Sequence, residues 1–297
     1  MFDYFIFILY KLFKFVVLLL PKFLAKFFLD VLIEFVYLIN IKHKKIAKAN
    51  IDFVYGNKIS ENRKYEIIKG NYRNLVYNIY EFVENQSLTL DEFENKITVE
   101  NEKYILEALS NNRKIILITA HYGNWEYGNT YIPLKYAPTT MVGRPLNNKY
   151  LNKELDRTRT KNNNEMLTKR EASRGLVKAL KNDRILGLVI DQHNRGGIDI
   201  EFLGHKVKQA DSSSRLAIKF DAVVIPLFFT MTQFGKYTAK FYEPMESKDF
   251  EGENQILDFT QAQAKIMEKH ILSHPEQWLW LHKRFKKYNN NIYKKNI

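Results

Sequence analysis

The chain has 297 residues, enough for one large domain with its own apolar core, and a formal net charge of +13 from 46 Lys and Arg against 33 Asp and Glu. Such a surface attracts anionic partners, such as lipid headgroups, nucleic acid or an acidic carrier protein. The sequence contains no cysteine, which excludes disulfides, thiolate catalysis and Cys-ligated zinc or iron–sulfur sites.

Residues 1–40 are dense in Phe, Leu, Ile and Val, and we interpret them as membrane-attachment helices. Charged residues interrupt the apolar run before it reaches the roughly 18 uncharged residues of a clear membrane span. On a helical wheel four lysines share a sector about 120° wide, which predicts helices in the membrane interface with the lysines toward anionic headgroups. These are Lys11, Lys14, Lys22 and Lys26. A tilted span with snorkelling lysines and a hairpin in a soluble core are the alternatives.

The segment that follows favours the cytoplasmic side of a membrane, because Lys42, His43, Lys44 and Lys45 form a basic cluster next to the apolar region. A secretory signal is disfavoured, since no basic start precedes the apolar run and no small-residue cleavage site follows it. Residues 41–110 mix charged and apolar residues in a helical pattern. We expect them to pack around a catalytic core.

From Lys114 onward short apolar runs alternate with helix-like segments. The strand candidates are KIILITA, TTMV, ILGLVI and AVVIPLFF, and the helix candidates are NKYLNKELDRTRT, ASRGLVKALK and DSSSRLAIKF. This alternation predicts an α/β layered domain with a mostly parallel sheet. The predicted organisation is therefore membrane-attachment helices at 1–40, a catalytic domain at 41–288 and a polar, frayed tail at 289–297.

His121 and Glu126 lie in the segment TAHYGNWEYG, directly after the first of these strands. The carboxyl end of a parallel sheet is where α/β proteins usually carry reactive groups. A neutral imidazole could take the proton of an alcohol that attacks an acyl carbonyl, with the carboxylate orienting the ring across a Gly123–Asn124 turn. The pair alone is a weak signal, because an arbitrary His and Glu at this spacing are usually structural.

Several further polar residues are candidates for substrate binding. Guanidinium groups suit bidentate binding of phosphate, and a carboxylate and an amide after the strand ILGLVI could orient sugar hydroxyls. The candidates are Asn124, Arg144, Arg157, Arg159, Asp191 and Gln192. A metal site built from His193, His121 and Glu126 is disfavoured because no zinc-protease motif or spaced His cluster is present, and no cofactor is expected.

The motifs taken together resemble those of the lipid A biosynthesis acyltransferases, the late lauroyl and myristoyl transferases of lipopolysaccharide assembly. The pieces are HYGNWE, VGRPLNN, DRTRTKNN, GLVIDQ, EFLG and HPEQWLWLHKRFK, and they extend to about Tyr288. The last piece is the most specific. The resemblance implies a glycerolipid-acyltransferase-like α/β fold and a catalytic His and acidic residue at His121 and Glu126.

The resemblance also implies the substrates and the location. We expect acyl carrier protein as donor, a hydroxyl on a phosphorylated, Kdo-bearing lipid A precursor as acceptor, and the cytoplasmic face of the inner membrane as the site of action. An acyltransferase for another glycolipid or an aminolipid is the nearest alternative, and a non-catalytic protein that binds anionic lipid is another. Nucleic-acid binding is disfavoured because the basic residues are dispersed and no binding motif appears.

Overall fold

The computed structural model describes residues 2–294. The helices are α1 Phe2–Leu19, α2 Lys22–Ile39, α3 Ile41–Tyr55, α4 Glu61–Glu84, α5 Leu90–Glu94, α6 Lys103–Ser110, α7 Tyr127–Lys135, α8 Lys149–Arg159, α9 Ala172–Lys181, α10 Ser212–Phe220 and α11 Gln255–Ser273. The strands are β1 Ile97–Glu100, β2 Ile115–Thr119, β3 Thr139–Gly143, β4 Glu165–Thr168, β5 Ile185–Val189, β6 Ile198–Phe202, β7 His205–Gln209, β8 Val223–Gln233 and β9 Lys236–Phe241.

Seven of the strands form one sheet in the order β1-β9-β8-β2-β5-β3-β4. Every neighbouring pair is parallel except β8 and β9, which form an antiparallel hairpin. The predicted α/β fold with a mostly parallel sheet is confirmed, and the four apolar runs chosen from the sequence are the strands β2, β3, β5 and β8. Helices cover both faces of the sheet, which explains why β2 and β5 are apolar throughout.

The central strand β2 is hydrogen-bonded to β5 on one side and β8 on the other. Thr119 on β2 is in register with Val189 on β5, so residues two positions further along each strand meet beyond the same edge of the sheet. This register places His121 next to Asp191.

Several elements differ from the sequence-based expectation. The region 41–110 is largely helical but contains the strand β1, and the hairpins β6–β7 and β8–β9 were not predicted. The tail packs on the domain through Tyr293, whose side chain is buried and whose hydroxyl donates to Asn50 Oδ1 at 2.5 Å. The expectation of a frayed tail is thus wrong for 289–294, and residues 295–297 lie outside the described residues.

The N-terminal helices α1 and α2 pack one side against α4 and expose a broad apolar face. Large side chains that are more than half exposed include Phe5, Leu12, Phe15, Phe23, Phe27, Phe28 and Phe35. Two of the lysines contact the domain: Lys11 pairs with Glu154 at 3.0 Å and Lys22 with Glu84 at 3.1 Å. The predicted arrangement of lysines toward headgroups is corrected for these two. Within residues 2–294 no helix is both long and apolar enough to cross a membrane.

Candidate active site

His121 and Asp191 form a hydrogen-bonded pair at the carboxyl ends of β2 and β5. The Nδ1–H of His121 donates to Asp191 Oδ1 at 2.7 Å, and the backbone N–H of His121 donates to Asp191 Oδ2 at 2.9 Å. Burial alone would raise the pKa of Asp191, but the charge and hydrogen bonds of His121, with a bond from Trp278, hold that pKa below its usual range. Asp191 therefore stays ionised beneath the imidazole.

The second ring nitrogen of His121 is available as a proton acceptor. Because Nδ1 carries the hydrogen bonded to Asp191, the neutral ring has its lone pair on Nε2. The side-chain Nε2 of Gln192 lies 3.3 Å from His121 Nε2 and donates toward that lone pair. The ring edge of Trp125 packs beside the imidazole, with centroids 5.2 Å apart.

The loop after β2 is held tightly by its backbone. Gly123 has φ +52°, and a Cβ added there would overlap the carbonyl oxygen of Phe229, so only glycine fits. Its N–H donates to Gln277 O at 3.0 Å, and its carbonyl accepts from Asn74 and Asn78 on α4 at 3.0 and 2.6 Å. These buried amides fix the direction in which the loop leaves β2.

The C-terminal motif HPEQWLWLHKRFK supports the same pair from the other side. Trp278 is buried, and its indole Nε1 donates to Asp191 Oδ2 at 2.8 Å. The N–H of Leu279 donates to the carbonyl of His121 at 2.9 Å. The motif thus fixes both members of the pair, a role that the alternation of Trp and Leu in the sequence did not reveal.

The predicted contact between Glu126 and His121 is not formed. Its carboxylate accepts from Arg159 Nε at 3.0 Å, from the terminal guanidinium nitrogen of Arg159, and from Asn129 at 3.0 Å. The reason is geometric: Glu126 directly precedes α7 and pairs with Arg159 of α8, whereas the register of β2 and β5 places Asp191 next to the imidazole. The carboxylate that orients His121 is therefore that of Asp191, and Glu126 belongs to an ion pair at the cavity wall.

A cavity of about 880 Å³ opens beside His121. Its apolar lining includes Met141, Val142, Met166, Leu176, Leu188 and Leu216, and its polar lining includes Glu126, Arg144, Arg159, Lys169, Gln192 and Arg215. An apolar cavity with a few converging polar groups is typical of a small-molecule site. In the described part of the chain no three His, Asp or Glu side chains cluster in a way that could hold a metal ion. The arrangement suits proton transfer next to a long apolar group.

The comparison with known protein families fits this geometry. The family described as bacterial lipid A biosynthesis acyltransferase matches residues 1–287. The chain belongs to this family. It is an acyltransferase of the lipid A biosynthesis type, and the resemblance seen in the motifs is confirmed.

Relatives of this acyltransferase share about a quarter of its residues. The lipid A biosynthesis palmitoleoyltransferase of Escherichia coli K12 is 26% identical over 252 residues, covering 82% of this chain and 79% of its own. The lauroyltransferase of the same organism is 27% identical over 192 residues, covering 62% and 60%. The solved structure of the 1-acyl-sn-glycerophosphate acyltransferase PlsC from Thermotoga maritima aligns at 14% identity with a TM-score of 0.39, covering 84% and 99%.

The remaining predicted site residues of the acyltransferase are divided between the cavity and its surroundings. Arg144, Arg159 and Gln192 line the cavity. Asn124 is buried, is not among the lining residues, and donates to Glu81 Oε2 at 3.1 Å. Arg157 is exposed on α8 and does not line the cavity. Asp191 lies beneath His121 and is likewise not among the lining residues, so a role in substrate binding stays a prediction for Asn124, Arg157 and Asp191.

Proposed function

We propose that this acyltransferase moves a fatty acyl chain from acyl carrier protein to a hydroxyl of a phosphorylated lipid A precursor, with His121 as general base. The observation that carries the proposal is the 2.7 Å bond from His121 Nδ1 to buried, ionised Asp191 at the wall of an apolar cavity. A base oriented by a carboxylate is the arrangement that activates a hydroxyl for acyl transfer.

The reaction needs no enzyme nucleophile. His121 Nε2 takes the proton of the acceptor hydroxyl while the hydroxyl oxygen attacks the thioester carbon of the donor. The carbon–sulfur bond then breaks, and the departing thiolate takes the proton back from Nε2. Asp191 keeps the hydrogen on Nδ1 and stabilises the imidazolium that forms in between. The apolar cavity wall supports this assignment because it can bury the acyl chain while the thioester lies at His121.

Glu126 and Arg159 are proposed to position substrate rather than to move the proton. Their ion pair lies at the cavity wall, and Arg144 and Gln192 line the same cavity. A guanidinium held by one carboxylate still has donors for a second anion or a carbonyl oxygen. Asn124 is proposed to act indirectly, by holding the loop that carries His121 against Glu81.

We further propose attachment to the cytoplasmic face of the inner membrane through α1 and α2. Their exposed apolar face supports this, because a soluble surface rarely shows so large an apolar patch without a partner. Helices that lie in the interface bury such a face at the boundary of headgroups and acyl chains. The net charge of +13 adds attraction to anionic lipid.

Mass spectrometry of the acceptor tests the proposed reaction. Purified protein is incubated with acyl carrier protein loaded with fatty acids, or with acyl-coenzyme A, and with a phosphorylated, Kdo-bearing lipid A precursor. We expect the precursor to gain the mass of one acyl chain with the carrier-bound donor. Transfer from coenzyme A alone would overturn the donor assignment. Transfer to a mannosylated phosphoinositide but not to the lipid A precursor would overturn the acceptor assignment. This second acceptor is included because a relative from Mycolicibacterium smegmatis, 22% identical over 180 residues, is named a phosphatidylinositol mannoside acyltransferase.

A further inference from the structure

A second, basic pocket adjoins the cavity of His121. It has a volume of about 360 Å³ and is lined by His193, Arg195, Lys286, Lys287 and Asn290. His193 lines both spaces, and it follows Gln192, whose side chain contacts His121. A group seated in this basic pocket would therefore lie beside the cavity of His121 without occupying it.

The cations of the basic pocket lack acidic partners. Among residues 2–294 no ion pair is formed by Arg195, Lys286 or Lys287. The nearby Lys206 and Lys208 differ, because both pair with Asp199, at 3.2 and 2.9 Å. Converging cations without counter-charges repel one another, so an anion that enters the pocket relieves this repulsion.

A buried cation adds to the positive potential of the basic pocket. Arg284 is 1% exposed, and its guanidinium donates to Lys208 O at 2.7 Å and to Gln209 Oε1 at 2.8 Å rather than to a carboxylate. Burial lowers the pKa of His193, and the charges of Lys286, Arg284, Arg195 and Lys287 lower it further. Four positive charges therefore act at the position where the two spaces meet.

We propose that the basic pocket binds a phosphate monoester of the acceptor glycolipid; this rests on the proposed function. A concave site fits a compact anion better than it fits the surface of a carrier protein. A monoester carries close to two negative charges at neutral pH, whereas the phosphodiester in the carrier's arm carries one. Three unpaired cations match the more highly charged group. The phosphate would then hold the acceptor with its hydroxyl chain directed toward His121.

Equilibrium binding in detergent micelles tests this proposal without requiring turnover. The ligands are the phosphorylated lipid A precursor, the same precursor after phosphatase treatment, and loaded acyl carrier protein. The variant is Lys286→Ala/Lys287→Ala. The matched control is Lys178→Ala/Lys181→Ala, which removes two exposed charges from the last turn of α9. Thermal melts verify that both variants fold.

We expect the Kd of the phosphorylated precursor to rise about tenfold in Lys286→Ala/Lys287→Ala, with no change in the control variant. Binding of the phosphatase-treated precursor and of the carrier protein should not change. An unchanged Kd, an equal loss for both precursors, or a loss confined to carrier protein would each overturn the proposal. Phosphate-dependent binding through this pocket in a protein that transfers no acyl group would contradict the proposed function but not the subsite.

Discussion

At the scale of single residues, the chemistry depends on where each proton is held. Asp191 is 2% exposed and accepts three hydrogen bonds, two from His121 and one from Trp278. A buried carboxylate so satisfied remains ionised and fixes the hydrogen on Nδ1, which leaves the lone pair of the neutral ring on Nε2, the atom proposed as the base.

A second histidine, His270, has no part in this chemistry and makes stability depend on pH. It is buried against Phe228, and its ring nitrogens contact Tyr242 and Thr230 at 2.8 and 3.1 Å. Burial lowers its pKa to about 3. In the unfolded chain His270 takes up a proton at about pH 6.5, whereas in the folded chain it does so only near pH 3. The free energy of unfolding therefore has its full value above about pH 6.5 and falls as the pH drops toward 3.

We predict that His270→Gln removes part of the acid sensitivity. In the native chain His270 alone should lower the free energy of unfolding by about 1.4 kcal/mol for each unit by which the pH falls between pH 6 and pH 4. His282, whose pKa is lowered by burial to about 4, adds to that slope in both proteins. Urea unfolding at pH 7, 6, 5 and 4 measures the difference. The variant should be less stable at pH 7 but show a shallower slope, and equal slopes would refute the assignment.

At the scale of elements, α1 and α2 each have one face that packs on the domain and one exposed apolar face. One face carries buried Leu29 and Ile33 and the lysines that reach acidic residues of α4 and α8. The opposite face carries exposed aromatic and aliphatic side chains. Ion pairs on the inner face fix how the helices lie on the domain, so the apolar face is presented outward as a unit.

Replacing Phe15 and Phe27 with serine should weaken membrane attachment. The two side chains are 62% and 61% exposed, and each would lose about 1.5 to 3 kcal/mol of transfer free energy. Each substitution is therefore expected to reduce binding to vesicles that contain anionic lipid by at least about tenfold. Leu106→Ser is the control, because Leu106 is 49% exposed on α6, outside this face. Vesicle sedimentation in which Phe15→Ser binds as well as the control would count against attachment through this face.

At the scale of the whole molecule, periodicity predicted the sheet well because its central strands are buried on both faces and read as apolar runs. The edge strands β1 and β4, and β9 next to β1, were not predicted because they are less uniformly apolar, as their exposed and half-buried positions show. His121 was predicted from its place after a strand. Its partner was not, because the pairing of β2 with β5 joins residues 70 positions apart, a relation that local spacing does not contain. Asp191 was noted after the strand ILGLVI as a group for sugar hydroxyls, and reading the ends of the two apolar strands together would have paired it with His121.

The central claim is that His121 and Asp191 act as one unit, and kcat measured for a double-mutant cycle tests it most directly. In Asp191→Asn the amide would donate to Nδ1, so that Nε2 carries the hydrogen and cannot act as base. We predict that His121→Ala and Asp191→Asn, each shown to be folded, lower kcat by at least about a hundredfold. The double variant should lose little more than the worse single variant. Losses that multiply in the double variant, or a folded His121→Ala protein that transfers acyl groups at the unsubstituted rate, would contradict the account.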